Sequence, residues 1–154
     1  MATSAAPAAI DALLSILRAA PGLEGVAVVD GPSAINFTER RRIYIGWSPA
    51  GEQAAEVQQS FANAGARRRN EDGLIACYAE ARGGDKEMQL RRNQVYELLA
   101  IVENALRGTD VAPEAPTLNG TVLWSEVSTG SLIQSKDNGA LAGLAFTVAY
   151  RARI

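Results

Sequence analysis

The sequence predicts an α+β fold: a mainly antiparallel sheet of about five to six strands with two helices packed on one face. Two segments carry apolar residues at helical spacing, and six others alternate or run apolar over strand lengths between Gly, Pro and Asn turns. The order of elements is helix, strands, long helix, strands. It lacks the regular strand-helix alternation that would demand a parallel sheet. At 154 residues the chain has the size of one domain, 1–154, large enough to bury a core without staples.

The first helix is read over Ala8 to Ala20, where Ile10, Leu13, Leu14 and Leu17 form one stripe and Pro21-Gly22 stops it. Gly25 to Asp30 is a short apolar strand closed by Gly31-Pro32. Arg42 to Trp47 places Ile43, Ile45 and Trp47 on one face of a second strand, followed by the turn Ser48-Pro49-Ala50-Gly51. Glu56 to Arg69 admits a strand or a short helix. Strand is adopted, because Leu74 to Arg82 alternates well and needs a partner across a turn read at Asn70-Glu71-Asp72-Gly73.

Gly83-Gly84-Asp85 opens the second helix, with Asp85 as its N-cap. Its stripe is Met88, Val95, Leu99, Val102 and Leu106, widened by Leu98 and Ile101, and Arg107-Gly108 ends it. Val111 to Pro116 is a proline-rich connector, and Thr121 to Ser128 is a strand. Thr129 to Gly139 is read as a polar excursion containing Gly130, Asn138 and Gly139. In Leu141 to Ile154 the residues Leu144, Phe146, Val148, Tyr150, Ala152 and Ile154 face one way, the pattern of a half-buried antiparallel strand.

Composition narrows the chemistry. There is no histidine and a single cysteine, so a histidine base, a histidine metal cluster, a Ser-His or Cys-His pair and an internal disulfide are excluded. No phosphate-cradling Gly-rich loop is present, and the local carboxylate pairs Glu71-Asp72 and Asp85-Glu87 sit where turns and helix starts favour acidic residues. Cys77 lies on the Ile75, Cys77, Ala79 face of its strand and reads as a small buried hydrophobe. These features point away from an enzyme, and no catalytic, cofactor-binding or metal site is expected. No apolar run reaches the length of a membrane span, and Met1 to Pro7 has the pattern of neither a signal nor a transit peptide, so cytosolic synthesis is expected.

The net charge is −2, too balanced for a nucleic-acid or anionic-membrane binder. The basic residues are nevertheless mostly arginine, clustered as Arg40-Arg41-Arg42, Arg67-Arg68-Arg69 and Arg91-Arg92. A planar guanidinium with several donors suits protein interfaces and carboxylate pairing, so the clusters are weighed as an assembly surface against plain solvated turns. Trp47 ends its strand, and Trp124 shares a face with Glu126. A partner surface is weighed there against plain core.

Taken together, the chain resembles the tail terminator (tail completion) proteins of long-tailed bacteriophages. The likeness runs through the opening helix and PGLEGVAVVDGP, RRIYIGW, GARRRNEDGLIACYAEARGGD, RRNQVYELLAIVENALRG, TLNGTVLWSEVSTGSLIQ and the closing FTVAYRARI. It implies a structural virion protein: a subunit that forms a homohexameric ring capping the tail tube, stops its polymerisation and offers the head-tail joining surface. The partners so implied are the chain itself, the tail tube protein and a head-tail connector or head completion protein, with DNA passing through the ring without sequence-specific binding and no membrane involved. The location implied is the virion tail or neck, after assembly in the host cytoplasm. The GARRR…EDG hairpin and the SLIQSKDNG excursion match segments at ring or tube contacts. Arg40, Arg41, Arg42, Trp47, Arg67, Arg68, Arg69, Gln134 and Lys136 are therefore the interface candidates. No strongly acidic run marks a pore lining, which leaves the lumen face unassigned. The other readings are a different neck or head-tail connector protein and, from another class, a small-ligand-binding regulatory α+β domain.

Overall fold

The computed structural model describes residues 3–32, 38–51, 53–63, 67–136 and 139–154. Met1, Ala2, Gly65, Ala66, Asp137 and Asn138, which belong to segments discussed above, lie outside the described residues. The elements run α1 (Ala6–Arg18), β1 (Ala27–Asp30), β2 (Arg41–Ile45), β3 (Ala55–Phe61), β4 (Arg69–Arg82), α2 (Met88–Leu106), a 3₁₀ turn (Ala115–Thr117), β5 (Trp124–Ser135) and β6 (Leu141–Arg153). The fold is α+β with a mixed, mostly antiparallel sheet, and both helices pack on one face.

The sheet is organised by β4. Its 14 residues pair with β6 along their whole length on one side. On the other side its first half pairs with β3 and its second half with β2, end to end. Strand β5 flanks β6, and β1 flanks β2 in the one parallel pair among the described residues.

Alternation along β4 and β6 sorts the two faces. Ile75, Cys77 and Ala79 of β4 and Leu144, Phe146, Val148 and Tyr150 of β6 are buried beneath the helices. Helix α1 contributes Ala9, Leu13 and Leu17 at four-residue spacing, and α2 contributes Val95, Leu98, Val102 and Leu106. Each large aliphatic side chain so sealed contributes roughly 1.5–3 kcal/mol relative to exposure. Among the described residues the opposite face holds no helix. It carries a small aromatic cluster at one end and, along β6, the short side chains of Ala145, Thr147 and Ala149.

Three local readings of the sequence are corrected. The turn expected at Asn70-Glu71-Asp72-Gly73 is strand: β4 starts at Arg69, and the hairpin closes where the Ala62 amide donates to the Arg68 carbonyl at 3.0 Å. Turn-forming residue types misled here because Glu71 and Gly73 each serve a packing need described below. The excursion at Thr129 to Gly139 is also largely strand, since β5 runs to Ser135 with a bulge between Val127 and Thr129. Its polar residues reflect an edge position rather than a loop. Finally, Asp85 does not cap α2. The cap position is Glu87, and Asp85 instead accepts the Glu87 amide at 3.2 Å while turning its other oxygen to Arg91. The predicted stop holds: Arg107 caps α2, and Gly108 follows at φ +96°, the left-handed conformation glycine adopts freely.

Candidate functional site

Glu71 is 0% exposed and lies against the start of α1. One of its oxygens accepts from the Ser4 hydroxyl at 2.8 Å, the Ala5 amide at 3.0 Å and the Tyr150 hydroxyl at 2.7 Å. The other accepts from the Gln59 amide nitrogen at 2.6 Å. Helix α1 has no acidic residue in its own first turn, so a carboxylate from a distant strand meets the positive end of its dipole. Burial pushes the Glu71 pKa up, but the hydrogen bonds from Tyr150, Gln59, Ser4 and Ala5 outweigh it and hold the carboxyl below its ordinary value. Burial, reinforced by the Glu71 charge, drives the Tyr150 phenol the other way, well above the usual tyrosine range. The phenol ring lies over Gly73, directly across in register, where any Cβ would collide with it.

At the far end of β4, Arg91 is buried at 8% exposure. It donates to Asp85 at 2.9 Å and to Gln94 at 2.9 Å, while its Nε has no partner among the described residues. Gly83 leaves the room for this guanidinium; a side chain there would run into it.

The interface candidates divide between these two ends. Arg67 and Arg68 are exposed at the β3–β4 hairpin, and Arg69 is half-buried with its backbone paired to Ile154. Arg40 is exposed, and Arg41 and Arg42 are half-buried at the start of β2. Arg42 donates to the Glu39 carbonyl at 2.9 Å and pairs in register with Glu80, which is itself bridged to Arg82. Gln134 is exposed and accepts from Arg92 at 3.1 Å, with exposed Lys136 just beyond β5. The Arg40 and Arg67 clusters therefore form no single patch, because nearly the full length of β4 separates them. Trp47 is half-buried in edge-on contact with Tyr44 and Tyr78, at ring separations of 5.1 and 5.9 Å. Trp124 is 42% exposed at the start of β5.

The carboxylates Glu71 and Asp72 are adjacent in sequence but lie on opposite faces of β4. Asp72 is exposed and paired with Arg151 at 2.7 Å, whose hydrogen bond holds its carboxyl below the ordinary value. Cys77 is fully buried; its thiol is pushed up to about 12 by burial, and it makes a sulfur contact of 3.6 Å to the Ile75 carbonyl. A thiol so held has little thiolate to offer as a nucleophile. Among the described residues no group of three Cys, Asp or Glu is placed to hold a metal ion. Among the described residues, the face opposite the helices carries two shallow hollows. The larger, about 720 Å³, is bordered by Gln53, Glu56, Leu74, Trp124 and Ala149.

The Glu71 cluster escapes sequence reasoning because its donors come from positions 4, 5, 59 and 150. The available signal is Gly73 inside a strand, which marks a close approach. No protein-family model and no curated protein matches the chain.

Proposed function

We propose that the chain is a structural subunit of a phage tail terminator ring, acting through its surfaces. The carrying observation is the pairing of exposed Arg67 and Arg68 at the hairpin end with a sheet whose second face, among the described residues, is covered by no helix, and whose outer strands β3 and β5 each pair with one strand only. Directional guanidinium donors beside uncovered strand edges suit a subunit whose neighbours complete it. The resemblance across most of the chain supplies the identity of the assembly. In this reading six copies close a ring on the tail tube end, the tube protein meets one side and a connector or head completion protein the other, and DNA passes through the centre.

Arg67, Arg68 and Arg69 are placed at a subunit or tube contact rather than in the DNA path. Eighteen such charges exposed to a pore in a hexamer would hold phosphates through counterion release and slow passage. Negative-stain imaging of the purified protein, with and without tail tubes, tests the reading. Six-fold rings on tube ends are expected, and class averages showing only dimers or open helical polymers would overturn it.

A further inference from the structure

The face opposite the helices carries a trough with an acidic rim. Its two hollows share Gln53, Ala55, Glu56 and Leu74 and are therefore continuous, over a floor of Ala76, Ala145, Thr147 and Ala149. Among the described residues, the charged side chains that line it are Glu56 and Asp72, and Asp72 is taken up by Arg151. Glu126 stands on the far rim, in register with Ala149. Glu56 and Glu126 are exposed, and neither side chain has a hydrogen-bond or ion-pair partner among the described residues. Trp124, also exposed, borders the trough.

The complementary chemistry sits at the end of the β3–β4 hairpin. Phe61 is 73% exposed, more than any other large hydrophobic side chain described. Arg68 lies beside it, its carbonyl accepting from the amide of the next residue, Ala62, and Arg67 precedes it. Both arginine side chains are exposed and unpaired among the described residues. An apolar ring flanked by guanidiniums is a composition enriched at protein interfaces. One copy cannot bring the two features together. Leu74 lies five residues along β4 from Arg69, where the hairpin joins the sheet, a rise of roughly 17 Å. Phe61 also faces the helix side of the sheet, the face it shares with Gln59, which reaches Glu71 beside α1.

We propose that this end of the hairpin in one copy seats in the trough of the next, head to tail, with Phe61 packed against Leu74 and Trp124 and with Arg67 and Arg68 paired to the rim carboxylates of Glu56 and Glu126. The proposal rests on the ring reading above and names the contact that joins its subunits. Hairpin and trough are different patches, so the contact is heterologous and closes into a ring when the rotation per copy permits.

Charge and width both favour a second copy as the occupant. The rim offers two unpaired carboxylates and the hairpin two unpaired guanidiniums, so docking neutralises both and forms charge-assisted hydrogen bonds. Glu56 and Glu126 lie level, through Leu74 and Ala149, across three strand spacings or about 14 Å. Two long side chains diverging from one hairpin suit that width, and the short side chains of the floor leave depth for the ring between them.

The test exchanges charge. Arg67→Glu with Arg68→Glu reverses the hairpin, and Glu56→Arg with Glu126→Arg reverses the rim. All four side chains are exposed, so circular dichroism should be unchanged in both variants. Each variant alone sets like charges opposite one another, and light scattering is expected to show the parent's multimers lost. Mixing the two variants restores opposite charge at both contacts that each copy makes, so multimers with an even number of copies should reappear. If the parent forms multimers that neither reversal disrupts, or mixing restores nothing, the subunit contact lies elsewhere. The docking then fails while the terminator reading stands. A parent that stops at a dimer, lost on reversal and regained on mixing, would show two copies exchanging hairpins reciprocally and overturn the head-to-tail contact. A parent that stays monomeric at every concentration reached also overturns it. In these last two cases imaging of tube ends decides the terminator reading separately.

Discussion

Glu71 and Arg91 are charged side chains sealed at opposite ends of β4, and they are held differently. Among the described residues Glu71 has no cationic partner; four neutral donors, two from Ser4 and Ala5 just before α1 and one each from β3 and β6, converge on it. Arg91 has a carboxylate partner, but Asp85 is 46% exposed and the Arg91 Nε is left unpaired. The first arrangement fastens four separate pieces of chain. The second pins the start of α2 to a nearby loop. A buried anion can therefore be better secured by several fixed neutral donors than a buried cation by one half-solvated carboxylate.

The largest expected effect breaks the first of these arrangements. Glu71→Ala leaves buried donors unsatisfied and opens a space, and it should cost about 3–4 kcal/mol, read as a lowered midpoint in chemical unfolding. Tyr150→Phe should cost about 1 kcal/mol, since one donor is removed and the ring still covers Gly73.

Acid should weaken the same end. Because the folded pKa of Glu71 lies below its unfolded value, its contribution is complete above the ordinary carboxylate range and is lost as pH falls through the folded value. Tyr150 has the opposite sign: its raised folded pKa means stability is lost as pH rises past the ordinary tyrosine range. Thermal unfolding between pH 7 and pH 3 is expected to show a steeper loss in the parent than in Glu71→Gln. Equal slopes would assign the acid sensitivity to other groups.

At the Arg91 end the cost should be smaller. Arg91→Ala removes two hydrogen bonds and a buried stem but leaves Asp85 free to hydrate, for about 1–2 kcal/mol. If this variant proves as damaging as Glu71→Ala, the contrast between the two ends fails. Cys77→Ala, midway along β4, should cost about 1 kcal/mol, and chelator should leave assembly unchanged. The smallest stability effect belongs to Arg67→Ala with Arg68→Ala. Both side chains are exposed, so the change should stay within about 0.5 kcal/mol while ring or tube docking is lost. Circular dichroism beside imaging separates the two readouts. Normal rings and tube binding with poorer retention of packaged DNA would place these arginines in the lumen instead.

Much of the fold is legible in the chain. The Leu13 and Leu17 stripe, the Val95 to Leu106 stripe and the alternation from Leu144 to Ile154 each depend on neighbours three, four or two residues away, so local periodicity reports which face is buried. The Arg107-Gly108 stop is equally local. The sequence by itself also determined the absence of histidine, the lone cysteine and the arginine clustering.

What only tertiary structure decided is whatever depends on distant pairing. Asn70-Glu71-Asp72-Gly73 has the composition of a turn. It is strand because β3 and β6 flank it on both sides, because Gly73 must admit the Tyr150 ring and because Glu71 must reach α1. Thr129 to Ser135 is polar enough for a loop, yet β6 supplies a full partner edge and draws it into the sheet. Asp85 is drawn from its expected cap by Arg91. In each case the preference of a short segment, worth a few tenths of a kcal/mol to about 1 kcal/mol per residue, was outweighed by ladder hydrogen bonds and buried contacts that exist only once remote strands and helices are side by side.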